Sequence, residues 1–231
     1  MRYGTGLREE IIRDGVTPLI GIYDMYSASI AAQHYDGMFV SGFGFAASYY
    51  GLPDIGFIAW PDMVGFVQRL RLAFPDQHLL VDIDDGYVDV EVACHVVEQL
   101  EALGASALAA TDADVLLIDG VRSVEWIRKV RGVIGSKPLL FNQIAGGLSP
   151  RLSLSELEDL GVDVAIYSTP CLFAAHTAMT EMLVRLRAED GRLADVGDGD
   201  VGVATSIALL EANISRRHPR RAPQPLTGSR R

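Results

Sequence analysis

Apolar positions along this chain fall into two rhythms that alternate as far as about residue 215. Six short, continuously apolar runs bounded by polar or glycine residues predict buried strands: 17–24 (TPLIGIYD), 37–42 (GMFVSG), 78–84 (HLLVDID), 114–120 (DVLLIDG), 137–143 (KPLLFNQ) and 162–169 (VDVAIYST). Between them apolar residues recur at three- and four-residue spacing. Met63, Val64, Val67 and Leu70 form such a stripe in 60–74, with Pro61 suited to a first helical turn. Val92, Val96, Val97, Leu100 and Leu103 form another in 89–104, with Asp89 as N-cap and Gly104 as terminator. Further helices are expected over 26–35, after Ser123, after a Ser153–Glu156 capping box, over 171–187 and over 203–215. No linker or internal repeat breaks the order, so residues 1–215 read as one domain ending in a helix.

Apolar strands alternating with helices imply parallel pairing with both sheet faces covered, hence an α/β domain. Two architectures compete, a (β/α) barrel and an open doubly wound sheet. Polar and glycine residues fall at the C-terminal ends of successive strands: Asp24, Ser41–Gly42, Asp82 with Asp84, Asp119, Asn142 and Ser168–Thr169. A barrel builds its active site there. An open sheet gathers such residues at one switch point, usually with a phosphate loop, and no GxGxxG or GxxxxGK[ST] follows a strand. The pattern favours a TIM-like (β/α) barrel. Asp24 and Asp119 read equally well as solvated loop starts.

Composition adds limits. With 49% hydrophobic residues and a mean hydropathy of +0.20, the chain can bury a sizeable core. No apolar run approaches the ~20 residues of a membrane span, and the polar start MRYGTGLREEIIRDG has no apolar signal core. A cytoplasmic protein is expected. The net charge of −10 is uneven: residues 216–231 (RRHPRRAPQPLTGSRR) carry six arginines and no acid, leaving 14 basic against 30 acidic side chains, a net −16, in residues 1–215. So acidic a body disfavours nucleic acid as the main partner, and the proline-rich basic tail reads as disordered. Cys94 and Cys171 are too few for a disulfide framework and are expected to be buried free thiols.

Candidate chemistry starts at HLLVDIDDGY (78–87), where three carboxylates, Asp82, Asp84 and Asp85, follow a wholly apolar run. Buried carboxylates need solvent, a basic partner or a metal ion. The five histidines show no HxH or HExxH spacing, which argues against a histidine-ligated metal. DVGDGD (195–200) lacks the bidentate glutamate of a calcium loop and reads as a turn-rich connector. Tyr49 and Tyr50 either line the mouth or cover the barrel end.

Three motifs in order carry a resemblance: Ser41-Gly42-x-Gly44, the Gly-Leu-Pro-Asp-x-Gly loop of Gly51–Gly56, and Asp82-x-Asp84-x-Gly86-Tyr87. With PLLFNQIAGG and VAIYSTPCLFAA, most of residues 16–190 resembles the isocitrate lyase/phosphoenolpyruvate mutase superfamily, nearest to methylisocitrate-lyase-like and phosphonomutase-like enzymes. The resemblance implies Mg²⁺, an enolate-like intermediate derived from a small 2-oxo or 2-hydroxy carboxylate, and either C–C cleavage or phosphoryl migration. It implies that Asp82, Asp84 and Asp54 serve the metal, with Asp54 acting through the metal's water shell. Ser41 and the amides of Gly42 and Phe43 would cradle the substrate carboxylate, and Asn142 would contact its distal end. Asp54, Asp84 and Asn142 are thus the expected catalytic residues. Mg²⁺ needs only one or two carboxylates besides water and substrate, and on a continuing strand Asp82 and Asp84 would share the face toward the mouth while Ile83 packs outward.

Departures from the family matter equally. A strand ending in Glu-Asp, a lid loop with its cysteine, and a strand ending Ala-Arg-Thr-Asp-Ala should lie between Asp84 and 114; here LEALGASAL runs through AATDA directly into DVLLIDG, with Ala110 where the arginine belongs. Val88 replaces a second glycine. The shortening predicts a barrel reduced by about two β/α units, roughly six strands of eight, with exposed edges to be covered or paired. Two functions follow: a Mg²⁺-dependent C–C lyase or phosphonomutase-type enzyme, or a catalytically impaired relative that binds a metal–carboxylate pair or acts through assembly. Family members exchange a C-terminal helix between subunits, and the stripe Val203, Ile207, Leu210 and Ile214 suits that role in a homo-oligomer.

Overall fold

The computed structural model describes residues 3–13, 15–53, 56–84, 86–87, 89–105, 116–193 and 201–217. Helix α1 (Tyr3–Ile12) precedes β1 (Thr17–Ile22), α2 (Met25–Ala31), β2 (Gly37–Val40) and α3 (Gly42–Phe45), which runs into one π-helical turn (Ala46–Tyr50). Then come α4 (Trp60–Ala73), β3 (His78–Val81), α5 (Val90–Ala102), β4 (Leu116–Ile118), α6 (Val124–Ile134), β5 (Leu139–Asn142), α7 (Leu154–Asp159), β6 (Val164–Tyr167), α8 (Pro170–Ala188) and α9 (Val203–Arg217).

Six parallel strands form one sheet in the order β3-β2-β1-β6-β5-β4. This is the cyclic order of a (β/α) barrel. The last strand closes onto the first, with Pro18 opposite Ala165, and among the described residues the ring is cut between β3 and β4. The cut lies where the sequence is short by two units, so the reduced barrel is what the residues build.

Although the strands are continuously apolar, their side chains alternate between two layers. Ile20, Ile22, Met38, Val40, Leu79 and Val81 pack outward under the helices, among Met63, Phe66, Val67, Leu70, Val96 and Leu100. Leu139, Phe141 and Ala165 pack outward into a separate cluster with Ile127, Leu157 and Leu160. Leu19, Phe39, Leu80, Leu140, Val164 and Ile166 fill the barrel interior, and Ile11 of α1 packs against them. Gly21 is required where β1 meets β6: a Cβ there would lie 2.1 Å from the carbonyl oxygen of Ser168, a backbone atom.

Several expectations need correction. Helix α1 was not anticipated from YGTGLREEII, whose two glycines and weak periodicity hide Leu7 and Ile11 as packing residues. Strand β3 stops at Val81, so Asp82 and Asp84 are not on a strand. Cys94 is exposed and Cys171 only half-buried, because α5 turns Val96 and Leu100 inward and leaves position 94 on another face. Helix α9 needs no such correction and packs within this chain through buried Leu209, a 2.8 Å hydrogen bond from Asn213 Nδ2 to Ser29 Oγ, and Arg216 over the Phe74 ring. The stripe Val203, Ile207, Leu210 and Ile214 is a different, exposed face. Residues 218–231 of the tail and the 195–200 connector lie outside the described residues, and no helix among the described residues is long and apolar enough to cross a membrane.

Candidate active site at the barrel mouth

The Ser41 loop leaves β2 and turns at once into α3. Ser41 makes that turn by accepting the Gly44 amide at 3.1 Å on its hydroxyl oxygen. This leaves the hydroxyl proton as the donor a carboxylate would take. Gly44 leaves room for Tyr23, whose Cβ would stand 3.0 Å from a Cβ at position 44. The π turn then ends at Gly51, left-handed at φ +68°.

The 51–59 loop is pinned by one tyrosine. Tyr50 donates its hydroxyl hydrogen to the Asp62 carboxylate and accepts the Ala59 amide at 3.3 Å. Burial and the bond to Asp62 hold its pKa above the ordinary tyrosine value. Tyr49 stacks on Phe45 with ring centroids 5.0 Å apart and stays exposed, so the pair braces the mouth from two sides.

Both described aspartates of the opening motif reach these loops. Asp82 Oδ2 accepts the Gly42 amide at 3.2 Å and Oδ1 accepts the Asp84 amide at 3.0 Å. Asp84, left-handed at φ +56°, accepts the Gly56 amide at 2.6 Å on Oδ2. The three motifs are therefore laced together by two carboxylates. One expected role changes as a result: the Gly42 N–H is given to Asp82 and does not stand open to a substrate. Phe43 sits half-buried in the first turn of α3. Asp54 and Asp85 lie outside the described residues.

The opposite rim is neutral. Asn142, at the end of β5, accepts the Ser168 hydroxyl at 2.6 Å on Oδ1, and both are buried. Thr169 is 4% exposed, and its hydroxyl has no partner among the described residues. Gln143 holds the next loop through Leu152 at 3.0 Å. Burial first, then the neighbouring Asp24 charge, raises the Tyr23 pKa, and burial raises that of Cys171. Sequence reasoning placed Ser168 and Thr169 at a strand end but gave them no role, and passed over Tyr23. Asp24 proves structural: with Ser27 it forms the capping box of α2. Asp119 accepts the Gly120 amide and is exposed.

The carboxylates fit a hard, oxygen-preferring divalent cation as far as they go. Asp82 and Asp84 are half-buried, adjacent and held by backbone donors that fix their direction. Among the described residues no cluster of three or more histidine, cysteine, aspartate or glutamate side chains could hold a metal by itself.

A model of the phosphoenolpyruvate phosphomutase family matches residues 7–113. The chain is similar to 2,3-dimethylmalate lyase of Eubacterium barkeri, 20% identical over 256 residues, covering 82% of this chain and 88% of that protein. It is 33% identical over 95 residues to 2-methylisocitrate lyase of Vibrio cholerae serotype O1, a match covering 41% of this chain and 30% of that protein. Among solved structures, that of 2,3-dimethylmalate lyase superposes with a TM-score of 0.84 at 20% identity, covering 95% of this chain and 98% of that one. A complex of phosphonopyruvate hydrolase with oxalate and Mg²⁺ does so with a TM-score of 0.78 at 20% identity, covering 95% and 99%. These structures share the fold.

Proposed function

We propose that the chain is a member of the isocitrate lyase/phosphoenolpyruvate mutase superfamily, a reading supported by the family match over residues 7–113 and by the similarity to 2,3-dimethylmalate lyase, and that its barrel mouth binds a small 2-oxo or 2-hydroxy carboxylate together with Mg²⁺. The reaction class is C–C bond cleavage or phosphonomutase-type transfer through an enolate-like species, in the cytoplasm. The observation that carries this reading is the lacing of the Ser41, Gly51–Gly56 and Asp82–Tyr87 motifs by the carboxylates of Asp82 and Asp84. Loops that bear the family's metal and carboxylate groups are held in one place by those groups themselves.

Asp82 and Asp84, with Asp54, would hold Mg²⁺, which when bound supplies Lewis-acid stabilisation of negative charge on the substrate oxygen. The chain's own residues do the rest. The Ser41 hydroxyl donates to the substrate carboxylate, and the Phe43 amide adds a second donor. Asn142, oriented by Ser168, meets the distal end of the substrate with neutral groups. Tyr50 ties Ala59 and Asp62, at the start of α4, to the end of the π turn.

One observation favours a second reading: among the described residues the ring is open between β3 and β4, and the sequence lacks the lid cysteine and the arginine that the family resemblance leads one to expect. Water exclusion is then incomplete, which depresses turnover while sparing binding. A metal–carboxylate binder without turnover is that reading.

Calorimetric titration with oxalate in the presence and absence of Mg²⁺ tests the proposal. Mg²⁺-dependent binding that Asp82→Ala abolishes is the expected result; unchanged binding by the variant, with Mg²⁺ still required, overturns the assignment of Asp82. Turnover of a panel of 2-hydroxy acids then separates the enzyme from the binder.

A further inference from the structure

Two helix flanks, on α5 and α6, border the cut in the barrel, and among the described residues no helix stands between them; residues 106–115, which join α5 to β4, lie outside the described residues. Which flanks these are follows from what the opposite flanks touch. On α5 the His95 ring meets Trp60 of α4 at 5.3 Å, so His95 marks the α4 side. The other flank, at spacings of four and seven, carries Val90, Cys94 and Glu101, with Glu98 beside them. On α6, Arg131 reaches Gly161 and Asp163 beyond α7, at 2.7 and 3.1 Å, which marks the α7 side. Its other flank carries Trp126, Lys129 and Val133. Val90, Trp126 and Val133 are 79%, 58% and 86% exposed. In a full barrel the missing helices would cover these side chains.

The two lips also differ in charge. The α5 lip is acidic, with Glu98 and Glu101 exposed and no lysine or arginine in the helix. The α6 lip is net basic: it presents Lys129, its ammonium held over the Trp126 ring at 5.1 Å, with Arg122 exposed just before the helix and Arg128 exposed on it, against one exposed acid, Glu125, in the first turn. We propose that the open seam is a self-association surface whose occupant is the seam of a second copy of this chain. A twofold axis across the seam sets the acidic α5 lip of each copy against the basic α6 lip of the other, and it buries Val90, Trp126 and Val133 at the centre, an aromatic anchor with aliphatic neighbours. The surface is separate from α9 and from the barrel mouth, so it stands whether or not the mouth is catalytic.

Sedimentation velocity over a concentration series of the full chain tests it. Lys129→Glu and Glu101→Lys should each weaken the dimer at least about tenfold, and the double variant should restore it to within about threefold, because the partners swap sign together. Leu210→Glu, on the exposed face of α9, should leave seam pairing unchanged. A chain that stays monomeric throughout overturns the proposal, as do single variants without effect or a double variant that fails to recover. Association lost on Leu210→Glu and kept in the seam variants also overturns it, and assigns assembly to the C-terminal helix instead.

Discussion

The arc β1–β2–β3 and the arc β4–β5–β6 come from one repeated strand-helix plan, yet they are built to different standards. Among the described residues, twenty buried ones fill the outer core of the first arc, including Phe45, Phe66 and Phe74, with Phe45 and Phe66 stacked at 5.1 Å. The second arc's outer core has eight buried residues, its edge strand has three residues, and Leu117 on that strand is half exposed. All three family motifs sit on the first arc; the second contributes only the neutral rim of Asn142, Ser168 and Thr169. A site that must hold carboxylates together against their mutual repulsion stands on the half with packing to spare, and the losses fall where the core is thin.

The largest expected effect is at the joint between the arcs. Gly21→Ala should abolish folding, since its Cβ meets the β6 backbone at 2.1 Å and neither strand can retreat without breaking their ladder. Gly37→Ala, inside the first arc, meets a Leu19 methyl at 2.2 Å. That side chain can shift, so the protein should still fold with a lower melting temperature. If both variants melt alike, the joint is not the rigid element.

Truncating Phe45 and Phe141 compares the two cores directly. Each is fully buried, and each truncation should cost about 3–5 kcal/mol in chemical denaturation. The loss at Phe45 should be larger, because its ring also stacks with Tyr49 and Phe66. A larger loss at Phe141 would reverse the comparison.

A smaller effect belongs to the foot of the first arc. Burial holds the His78 imidazole pKa below its ordinary value, with Glu10 and Asp36 pulling the other way. The unfolded chain then takes up a proton near pH ~6.5 that the folded chain resists, so stability falls as pH drops from about 7 toward about 5. His78→Gln should flatten that part of the stability–pH curve. The smallest effect is in thiol labelling: exposed Cys94 should react quickly, and half-buried Cys171, with its raised pKa, slowly.

Much of this architecture was legible in the chain. The strand cores and the helices at 60–73 and 90–102 follow from apolar spacing alone, and Asp89 and Ser153 start helices as their residue types dictate. The site was legible as a set of motifs and not as a geometry. Nothing in HLLVDID marks Val81 as the last strand residue, because Ile83 continues the apolar alternation; the turn is made by Asp84 at positive φ, a conformation aspartate tolerates without advertising. Nor does a sequence reveal that the Gly42 amide is spent on Asp82, a contact across 40 positions. Helix α1 and the π turn escaped for a related reason: glycines in YGTG and GFGF argue for loop, and tertiary packing overrides them.

The account rests on the carboxylates of Asp82 and Asp84 being a metal–ligand site, and thermal melts with and without millimolar Mg²⁺ and oxalate at about pH 7.5 test that most directly. Binding to the native state alone stabilises it by mass action, about 2.7 kcal/mol at a hundredfold excess over Kd. The prediction is an upward shift of about 5 °C or more, abolished by Asp82→Asn. Identical melting curves at every Mg²⁺ and oxalate concentration would contradict the account and leave the two aspartates as loop fasteners only.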